Sequence, residues 1–287
     1  MRDAFIAAVQ PETKSFNVVQ GHGTDPDNTF GVKASTTEHL SGLKVGSFWA
    51  GNESIGLPRH NSLILLFDQR CGKIGAAIEA GEVNAYRTAA ADAVATDQLA
   101  RKEAAILAIF GTGHQARFEC AALARIRTIT KILIVGRNKD TAQQMTKEFC
   151  SAGMNAIVTD AESSCRVADI IVTATSSHSP LFESEWIQPG THISAMGADR
   201  LGKQELPVGL YSCAKLFCDL PLQSRAIGEY QHAPAQAEIT TIGSVILAET
   251  SGRQTEEDIT IFDSSGISVQ DLYIGQRILE KFRTNYS

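Results

Sequence analysis

The clearest chemical signal in this sequence is a glycine pattern that directly follows an apolar run. One glycine permits a tight turn, the next leaves room where a pyrophosphate must approach the backbone, and a third small residue lets a helix pack closely on a strand. The start of such a helix attracts anions, because its backbone N–H groups are unpaired and its dipole is positive there. We therefore predict a dinucleotide-binding loop. It consists of Gly111, Thr112, Gly113, His114, Gln115 and Ala116.

An ordinary glycine-rich turn would match the same pattern, so the flanking elements decide between the two interpretations. The run Ala105 to Phe110 has no polar position, as in a strand buried on both faces of a parallel sheet. A second run, Lys131 to Val135, ends about 20 residues after Ala116, where dinucleotide folds place the residue that contacts the ribose. A third, residues 168–174, ends in Thr175-Ser176-Ser177, which we expect to line the cofactor. This succession favours the dinucleotide interpretation.

The end of the second strand bears on which nicotinamide cofactor is bound. An Asp or Glu there would bind both ribose hydroxyls and repel a 2′-phosphate. The sequence has Arg137 and Asn138 instead, followed by Lys139. With two cations and no carboxylate, a 2′-phosphate is tolerated, so we predict NADP or NAD with a slight preference for NADP. An arginine here can also stack on adenine and serve either cofactor.

A cation at the start of a predicted helix is a second chemical signal. An alanine-rich helix is predicted with Asn84 as its N-cap, which places Arg87 in the first turn. Because the helix N-terminus is already partly positive, an arginine there indicates an anion nearby. The alternative is an exposed arginine paired with Asp92 or Glu82.

The elements that must position these residues fall into two groups. Residues 16–80 have the pattern of short antiparallel strands, including a hairpin from Ser62 to Phe67 and from Lys73 to Ile78. Strands and helices then alternate, as in a parallel sheet. A closing helix, Val269 to Phe282, is predicted to return to the first group.

Composition limits the possible partners. The 287 residues suffice for two medium domains, and a net charge of −6 with no basic cluster argues against nucleic acid. No apolar run approaches the roughly 18 residues of a membrane span, so we expect no membrane partner and a cytoplasmic location. The six cysteines and seven histidines lack the paired spacings of zinc sites. We therefore expect reduced thiols and no metal.

Several segments spread along the chain carry a family resemblance. They are Leu43-Lys44, Gly56-Leu57-Pro58, Arg87-Thr88-Ala89-Ala90, residues 111–116, Met196-Gly197-Ala198-Asp199 and Phe262-Asp263-Ser264-Ser265-Gly266. Together they resemble the ornithine cyclodeaminase and μ-crystallin family of nicotinamide-dependent enzymes. The stretches SSHSPLF, AMGADRLGKQEL and AIGEYQHA are most similar to the iminosuccinate reductases of that family. The departure from the family pattern is at the front, where we expect the family's opening strand and much of its first helix to be absent from this sequence.

The resemblance implies an α/β fold in which a Rossmann-type doubly wound parallel sheet domain is inserted into a smaller α+β substrate and dimerisation domain. Residues 99–265 would form the dinucleotide-binding domain. Residues 1–98 and 266–287 would form the substrate-binding and dimerisation domain. Family members commonly join the antiparallel sheets of two subunits, so a homodimer is expected.

The resemblance also implies roles for individual residues. Lys44 matches a lysine that faces the substrate carboxylate and reacting nitrogen, Arg87 an arginine that binds that carboxylate, and Asp199 an acid beside the reacting atoms. Gln20 falls where many members keep a carboxylate-binding arginine. Gly31 falls near the glutamate position of cyclodeaminases, and Lys33 lies two residues on; losing an acid and gaining a base there favours a second substrate carboxylate over ornithine. The matching segments add Thr88, Met196, Gly197 and Ser264 to the expected cofactor contacts.

The activity expected from the resemblance is NAD(P)H-dependent reduction of a small, iminosuccinate-like imino acid to the L-amino acid, which is reversible as amino-acid dehydrogenation. Hydride transfer to an imine carbon needs a protonated nitrogen, so a carboxylate clamp must be combined with an acid. Two alternatives stay open. One is a cyclodeaminase that uses NAD+ catalytically and releases ammonia, and the other is a non-catalytic NADPH-binding protein of μ-crystallin type.

Overall fold

The computed structural model describes residues 1–286, which contain eight α-helices and fourteen strands. The helices are Arg2–Ala8 (α1), Val83–Leu99 (α2), His114–Leu123 (α3), Lys139–Ser151 (α4), Ala161–Cys165 (α5), Pro221–Ile227 (α6), Ile242–Ile246 (α7) and Ser268–Tyr286 (α8). The strands are Lys14–Ser15 (β1), Val19–His22 (β2), Thr29–Thr36 (β3), Ser41–Phe48 (β4), His60–Phe67 (β5), Ile74–Glu79 (β6), Ile106–Phe110 (β7), Lys131–Val135 (β8), Ala156–Val158 (β9), Ile170–Thr173 (β10), His192–Ala195 (β11), Lys215–Cys218 (β12), Ile239–Thr241 (β13) and Thr260–Asp263 (β14).

The chain divides into two compact units. The first comprises residues 1–87 together with the chain from Ile267 onward, and the second comprises residues 88–266. The predicted domain boundary at residue 98 lies near the end of α2, a helix that begins in the first unit and continues in the second. None of the helices in residues 1–286 is long and apolar enough to cross a membrane.

The first unit is built on an antiparallel sheet with the strand order β1-β3-β4-β5-β6, and β2 also pairs with β3. One face of this sheet packs against α8. The contact is close, because a Cβ on Gly42 would lie 2.9 Å from Leu272 and a Cβ on Gly275 would lie 3.1 Å from Ile64. Burial of these apolar side chains between sheet and helix stabilises the unit.

The other face of this sheet is apolar and open. Cross-strand register aligns Val19, Val32, Val45 and Leu63 in one row. Val19 is 58% exposed, Leu63 40% and Val45 37%. A row of exposed aliphatic side chains on a sheet face is typical of a surface that meets another protein.

The second unit is built on an eight-stranded parallel sheet with the order β13-β12-β14-β11-β10-β7-β8-β9. Counted from β7, its first five strands lie in the order 3-2-1-4-5, which is the doubly wound Rossmann order. The predicted fold class is therefore confirmed. The switch point lies between β7 and β10, and ligands of such sheets bind outside the carboxyl ends of the strands there.

The start of α2 differs from the prediction. The helix begins at Val83, so Asn84 lies inside its first turn and is not the N-cap. The Asn84 side chain turns instead to two cations, which belong to the site described below. The same amide oxygen could cap a helix or accept a hydrogen bond from a distant residue, and the local sequence does not show which of the two it does.

Candidate functional site

The glycine loop lies at the switch point of the parallel sheet. Gly111 has a φ of +119°, and a Cβ at this residue would lie 2.6 Å from the Ala174 carbonyl oxygen. Gly113 has an ordinary φ of −79°, and nothing lies within 4 Å of the position of its missing Cβ. Gly111 is therefore required by the fold, whereas Gly113 leaves open space beside the N-terminus of α3. An anionic group can approach the backbone there.

Side chains around the loop hold its backbone in place. Arg117 donates from Nη1 to the Thr112 and Gly113 carbonyl oxygens at 2.6 and 3.1 Å, and its Nε lies 2.7 Å from Glu148 Oε2. This arginine was not predicted from the sequence, although its position one turn into the helix was a usable signal. Gln115 donates from Nε2 to Glu119 Oε1 at 2.6 Å.

The two residues predicted to contact the ribose, Arg137 and Asn138, follow β8 directly. Arg137 is exposed at the end of β8. Asn138 is the N-cap of α4, because its Oδ1 accepts from the backbone N–H groups of Asp140 and Thr141. Its amide oxygen therefore has a structural role that the sequence analysis did not predict.

A buried carboxyl group organises the loops after β10 and β11. Glu205 Oε1 accepts from the backbone N–H and the hydroxyl of Thr175, both at 2.7 Å. Its Oε2 accepts from Thr173 Oγ1 at 2.7 Å and from the Gly197 N–H at 2.9 Å. Burial raises the pKa of Glu205, and these hydrogen bonds oppose the rise. The group thus ties together two loops that we predicted to line the cofactor.

The other predicted cofactor residues lie near these strand ends. Ser177 donates its backbone N–H to Thr175 Oγ1, while Ser176 is exposed. Met196 follows β11 and is buried. Ser264 follows β14, and its buried Oγ has no hydrogen-bond partner among residues 1–286. A buried hydroxyl without a partner at the carboxyl edge of the sheet is suited to a polar ligand atom.

Asp199 is held by a lysine that the sequence analysis missed. Its side chain is 59% exposed, and its Oδ1 lies 2.7 Å from Lys203 Nζ. Lys203 is itself nearly buried and also donates to the Gly197 carbonyl oxygen at 2.9 Å. The spacing of four residues between Asp199 and Lys203 was the available signal. The ion pair fixes an accessible carboxylate at the same edge of the sheet.

In the first unit, three elements bring five polar residues together. We call this group the Lys44 cluster; it consists of Lys44 on β4, Asn84 and Arg87 on α2, and Gln270 and Asp271 on α8. Lys44 Nζ donates to Asn84 Oδ1 at 3.1 Å and to Asp271 Oδ1 at 3.0 Å. Arg87 donates from Nη1 to Gln270 Oε1 at 2.9 Å and from Nη2 to Asn84 Oδ1 at 2.8 Å. The two cations therefore share partners in a buried site.

The anion expected near Arg87 is Asp271, whose Oδ1 lies 3.2 Å from Arg87 Nε. The alternative pairing with Asp92 or Glu82 is wrong. Asp92 is buried in the second unit and accepts from Thr96 and Ser194. Asp271 comes from the far end of the chain, where no local pattern linked it to Arg87.

The predicted substrate residues share one face of the antiparallel sheet. Lys33 lies directly opposite Lys44 in the β3–β4 register, and Gln20 lies opposite Gly31, two residues from Lys33. Residues directly opposite, and those two apart on one strand, point to the same side. Gln20, Lys33 and Lys44 are therefore on the face that α8 covers in part.

The electrostatics of the cluster favour an anion. Burial lowers the pKa of Lys44 to about 7; Asp271 opposes this change, and the charges of Arg87 and Lys33 add to it. Lys44 is thus part charged and part neutral near neutral pH. An added anion would favour its charged form.

Proton counting shows what the cluster can bind. Two of the three ammonium protons of Lys44, and one proton on each terminal nitrogen of Arg87, are used by partners in residues 1–286. Three donor protons remain on Lys44 Nζ and the two terminal nitrogens of Arg87, while the Arg87 Nε–H, which has no hydrogen-bond partner among residues 1–286, lies 3.2 Å from Asp271 Oδ1. These three protons are the set needed to bind one carboxylate, with a guanidinium fork and a point charge.

Comparisons with known proteins find matches over most of the chain. Residues 13–285 match the model of the ornithine cyclodeaminase/mu-crystallin family. The chain is 34% identical over 290 residues to the iminosuccinate reductase of Paracoccus denitrificans (strain Pd 1222), covering 96% of this chain and 88% of that protein. It is 36% identical over 250 residues to the alanine dehydrogenase of Archaeoglobus fulgidus, covering 84% and 76%.

Solved structures show the same fold. The iminosuccinate reductase of Paracoccus denitrificans in complex with NAD+ has a TM-score of 0.92 at 32% identity, covering 99% of this chain and 90% of that one. An archaeal alanine dehydrogenase dimer with bound NAD has a TM-score of 0.91 at 29% identity, covering 100% and 90%. The Δ1-pyrroline-2-carboxylate reductase of Thermococcus litoralis, in complex with NADH and L-proline, has a TM-score of 0.91 at 25% identity, covering 99% and 91%.

Proposed function

Because the chain belongs to the ornithine cyclodeaminase/mu-crystallin family, we propose that it is an NAD(P)H-dependent oxidoreductase that reduces a small imino acid to the L-amino acid. The relatives named above include an iminosuccinate reductase, an alanine dehydrogenase and a Δ1-pyrroline-2-carboxylate reductase. The observation that carries the proposal is the Lys44 cluster, whose two buried cations keep three donor protons for one carboxylate. The reaction is reversible as amino-acid dehydrogenation.

We assign the cofactor to the second unit and the substrate carboxylate to the first. The open backbone at Gly113 and the unpartnered Ser264 hydroxyl fit a dinucleotide, with Thr88, Met196 and Gly197 as further contacts. When bound, the nicotinamide supplies the hydride. Solved relatives hold NAD+ or NADH. The slight preference for a 2′-phosphate at Arg137 stays a prediction.

The chain's own residues bind the substrate and supply the proton. Arg87 and Lys44 bind the α-carboxylate. Asp199 keeps the imine nitrogen protonated by stabilising its positive charge and exchanging its proton, which makes the carbon electrophilic. Lys203 holds the Asp199 carboxylate in place. Each role rests on the match of these residues to the family pattern and on the contacts described above.

We propose a dicarboxylic, iminosuccinate-like substrate. Lys33 adds a third cation to the face of the sheet that carries Lys44, which gives a second carboxylate a partner. The test is a panel of 2-oxo acids with ammonia, including oxaloacetate and pyruvate, followed by NADH and NADPH oxidation. We expect oxaloacetate to be turned over most efficiently, with one NAD(P)H oxidised per amino acid formed. Ammonia release from ornithine without net cofactor change would indicate a cyclodeaminase instead.

Lys33→Met provides the specificity test. Loss of one charge-assisted hydrogen bond is expected to raise the KM for the oxaloacetate-derived imine about 20-fold. The KM for the pyruvate-derived imine, which has no second carboxylate, should stay within about twofold and serves as the internal control. Equal changes for both substrates would contradict the assignment of Lys33 to the second carboxylate.

We further propose a homodimer formed through the open face of the antiparallel sheet. The row of Val19, Val32, Val45 and Leu63, in which all but Val32 are exposed, supports it, and one solved relative is a dimer. Sedimentation equilibrium should give twice the chain mass for the protein and a monomer for Val45→Lys, because a buried unpaired charge opposes association. A monomer at all concentrations would contradict this proposal. The cytoplasmic location stays a prediction.

A further inference from the structure

Asp271 lies between the two cations that the proposed function assigns to the substrate. Its Oδ1 is 3.0 Å from Lys44 Nζ and 3.2 Å from Arg87 Nε, and its side chain is only 2% exposed. Its Oδ2 is buried and has no hydrogen-bond partner among residues 1–286. One oxygen of a buried carboxylate therefore contacts both cations. No role was predicted for this residue from the sequence.

The cluster needs such a carboxylate on electrostatic grounds. Lys44 faces Arg87 from α2, Lys33 from β3 and Asp271 from α8, beside the neutral amides of Asn84 and Gln270. Like charges in a buried site favour the neutral form of a lysine, and an adjacent carboxylate opposes this. Without Asp271, Lys44 would lose its proton more readily, and the two cations would share only the neutral Asn84 amide and no anionic partner.

Resting on the proposed function, we propose that Asp271 is the positioning residue of the anion site: its Oδ1 holds the Lys44 ammonium and the Arg87 guanidinium side by side, so that their remaining protons meet one substrate carboxylate. Asp271 itself does not bind the substrate carboxylate, because like charges repel. A merely structural role, in which Asp271 only fills space under α8, is the competing explanation.

Asp271→Asn tests the proposal with almost no change in shape. We expect the KM for the oxaloacetate-derived imine to rise about 30-fold at pH 7.5, because a hydrogen-bonded buried charge is lost. Lys44 is charged below its pKa, so the decline of kcat/KM with rising pH follows its deprotonation. In Asp271→Asn that decline should begin at lower pH. The affinity for NADH, measured by fluorescence, should stay within about twofold.

A charge swap separates positioning from a structural role. Asn84 Oδ1 already lies 3.1 Å from Lys44 Nζ and 2.8 Å from Arg87 Nη2, so Asn84→Asp places a carboxylate on the same two cations. Asn84→Asp alone should move the decline of kcat/KM to higher pH. Combined with Asp271→Asn, it should recover at least about tenfold of the lost KM and return the pH profile toward the parent. A space-filling role predicts no such rescue.

A measurement without turnover keeps this proposal distinct from the proposed function. In protein with ¹³C,¹⁵N-labelled lysine, the signal absent from Lys44→Arg identifies Lys44, and its pH titration reports the charge directly. We expect a midpoint near 7 in the parent protein, a lower one in Asp271→Asn and a higher one in Asn84→Asp. If no imine is reduced but these shifts occur, the proposed function fails and the positioning role stands.

Two results would overturn the positioning role. The first is a Lys44 titration that is unchanged in Asp271→Asn. The second, which also applies if Asp271→Asn does not fold, is an unchanged Lys44 titration in folded Asn84→Asp. Either result would show that a carboxylate on these cations does not control the Lys44 charge.

Discussion

We expect Gly111→Ala to lower the stability of the protein and Gly113→Ala to lower its affinity for the cofactor. Alanine at residue 111 must adopt a φ of +119° and place its Cβ 2.6 Å from the Ala174 carbonyl oxygen. We expect a loss of about 3 kcal/mol in the free energy of unfolding, which lowers the Tm by about 10 °C. Alanine at residue 113 meets nothing within 4 Å and has an ordinary φ, so the stability should be unchanged.

For Gly113→Ala, we expect the loss to be in cofactor affinity and not in stability. A methyl group there stands where the pyrophosphate approaches the N-terminus of α3, so Gly113→Ala should weaken NADH binding at least about 100-fold while the protein stays folded. Thermal unfolding and NADH fluorescence titration of both variants give the two readouts. If Gly113→Ala binds NADH as tightly as the parent protein, the cofactor does not lie against this loop and the cofactor assignment is wrong.

Asp199→Asn is expected to have the largest effect on turnover. Removing the group that exchanges the proton of the imine nitrogen should lower kcat about 1,000-fold, with NADH affinity nearly unchanged. The side chain is 59% exposed, so the free energy of unfolding should change by less than about 0.5 kcal/mol. The measurement is steady-state reduction of the oxaloacetate-derived imine, with NADH titration and thermal unfolding alongside.

Glu162→Gln is a matched control for Asp199→Asn. Glu162 is another exposed acid of the second unit, 51% exposed, and it forms an ion pair with Arg166 at the same spacing of four residues. Its loss should leave kcat unchanged, because surface pairs of this kind contribute little. If the two variants retained equal activity, Asp199 would have no part in proton exchange.

Much of the fold was predictable because its signals are local. A buried parallel strand is apolar throughout, and the turn after β7 requires glycine wherever φ is strongly positive. The strand Lys131–Val135 was predicted with the bounds the structure has. The helix after Asn84 was predicted too, but the role of Asn84 was not, since its amide serves Lys44 and Arg87.

The residues that complete the sites were not predictable, because their contacts span the chain. Glu205 joins the ends of two strands through four hydrogen bonds, yet in sequence it stands as one acid among many. Lys203 and Arg117 bind partners only four or five positions away in the sequence, so these contacts could have been predicted. Asp271 meets Lys44 across 227 positions of sequence, and no local pattern connects them.

The sequence by itself determined the nucleotide loop, the parallel sheet and the family, because backbone conformation and strand burial act through neighbouring residues. Only the tertiary structure decided which charges face one another. Burial makes each unpaired charge costly, so a buried cation must have a partner, but the partner can come from any element that the fold brings near. For Lys44 and Arg87 that partner is Asp271 on the closing helix.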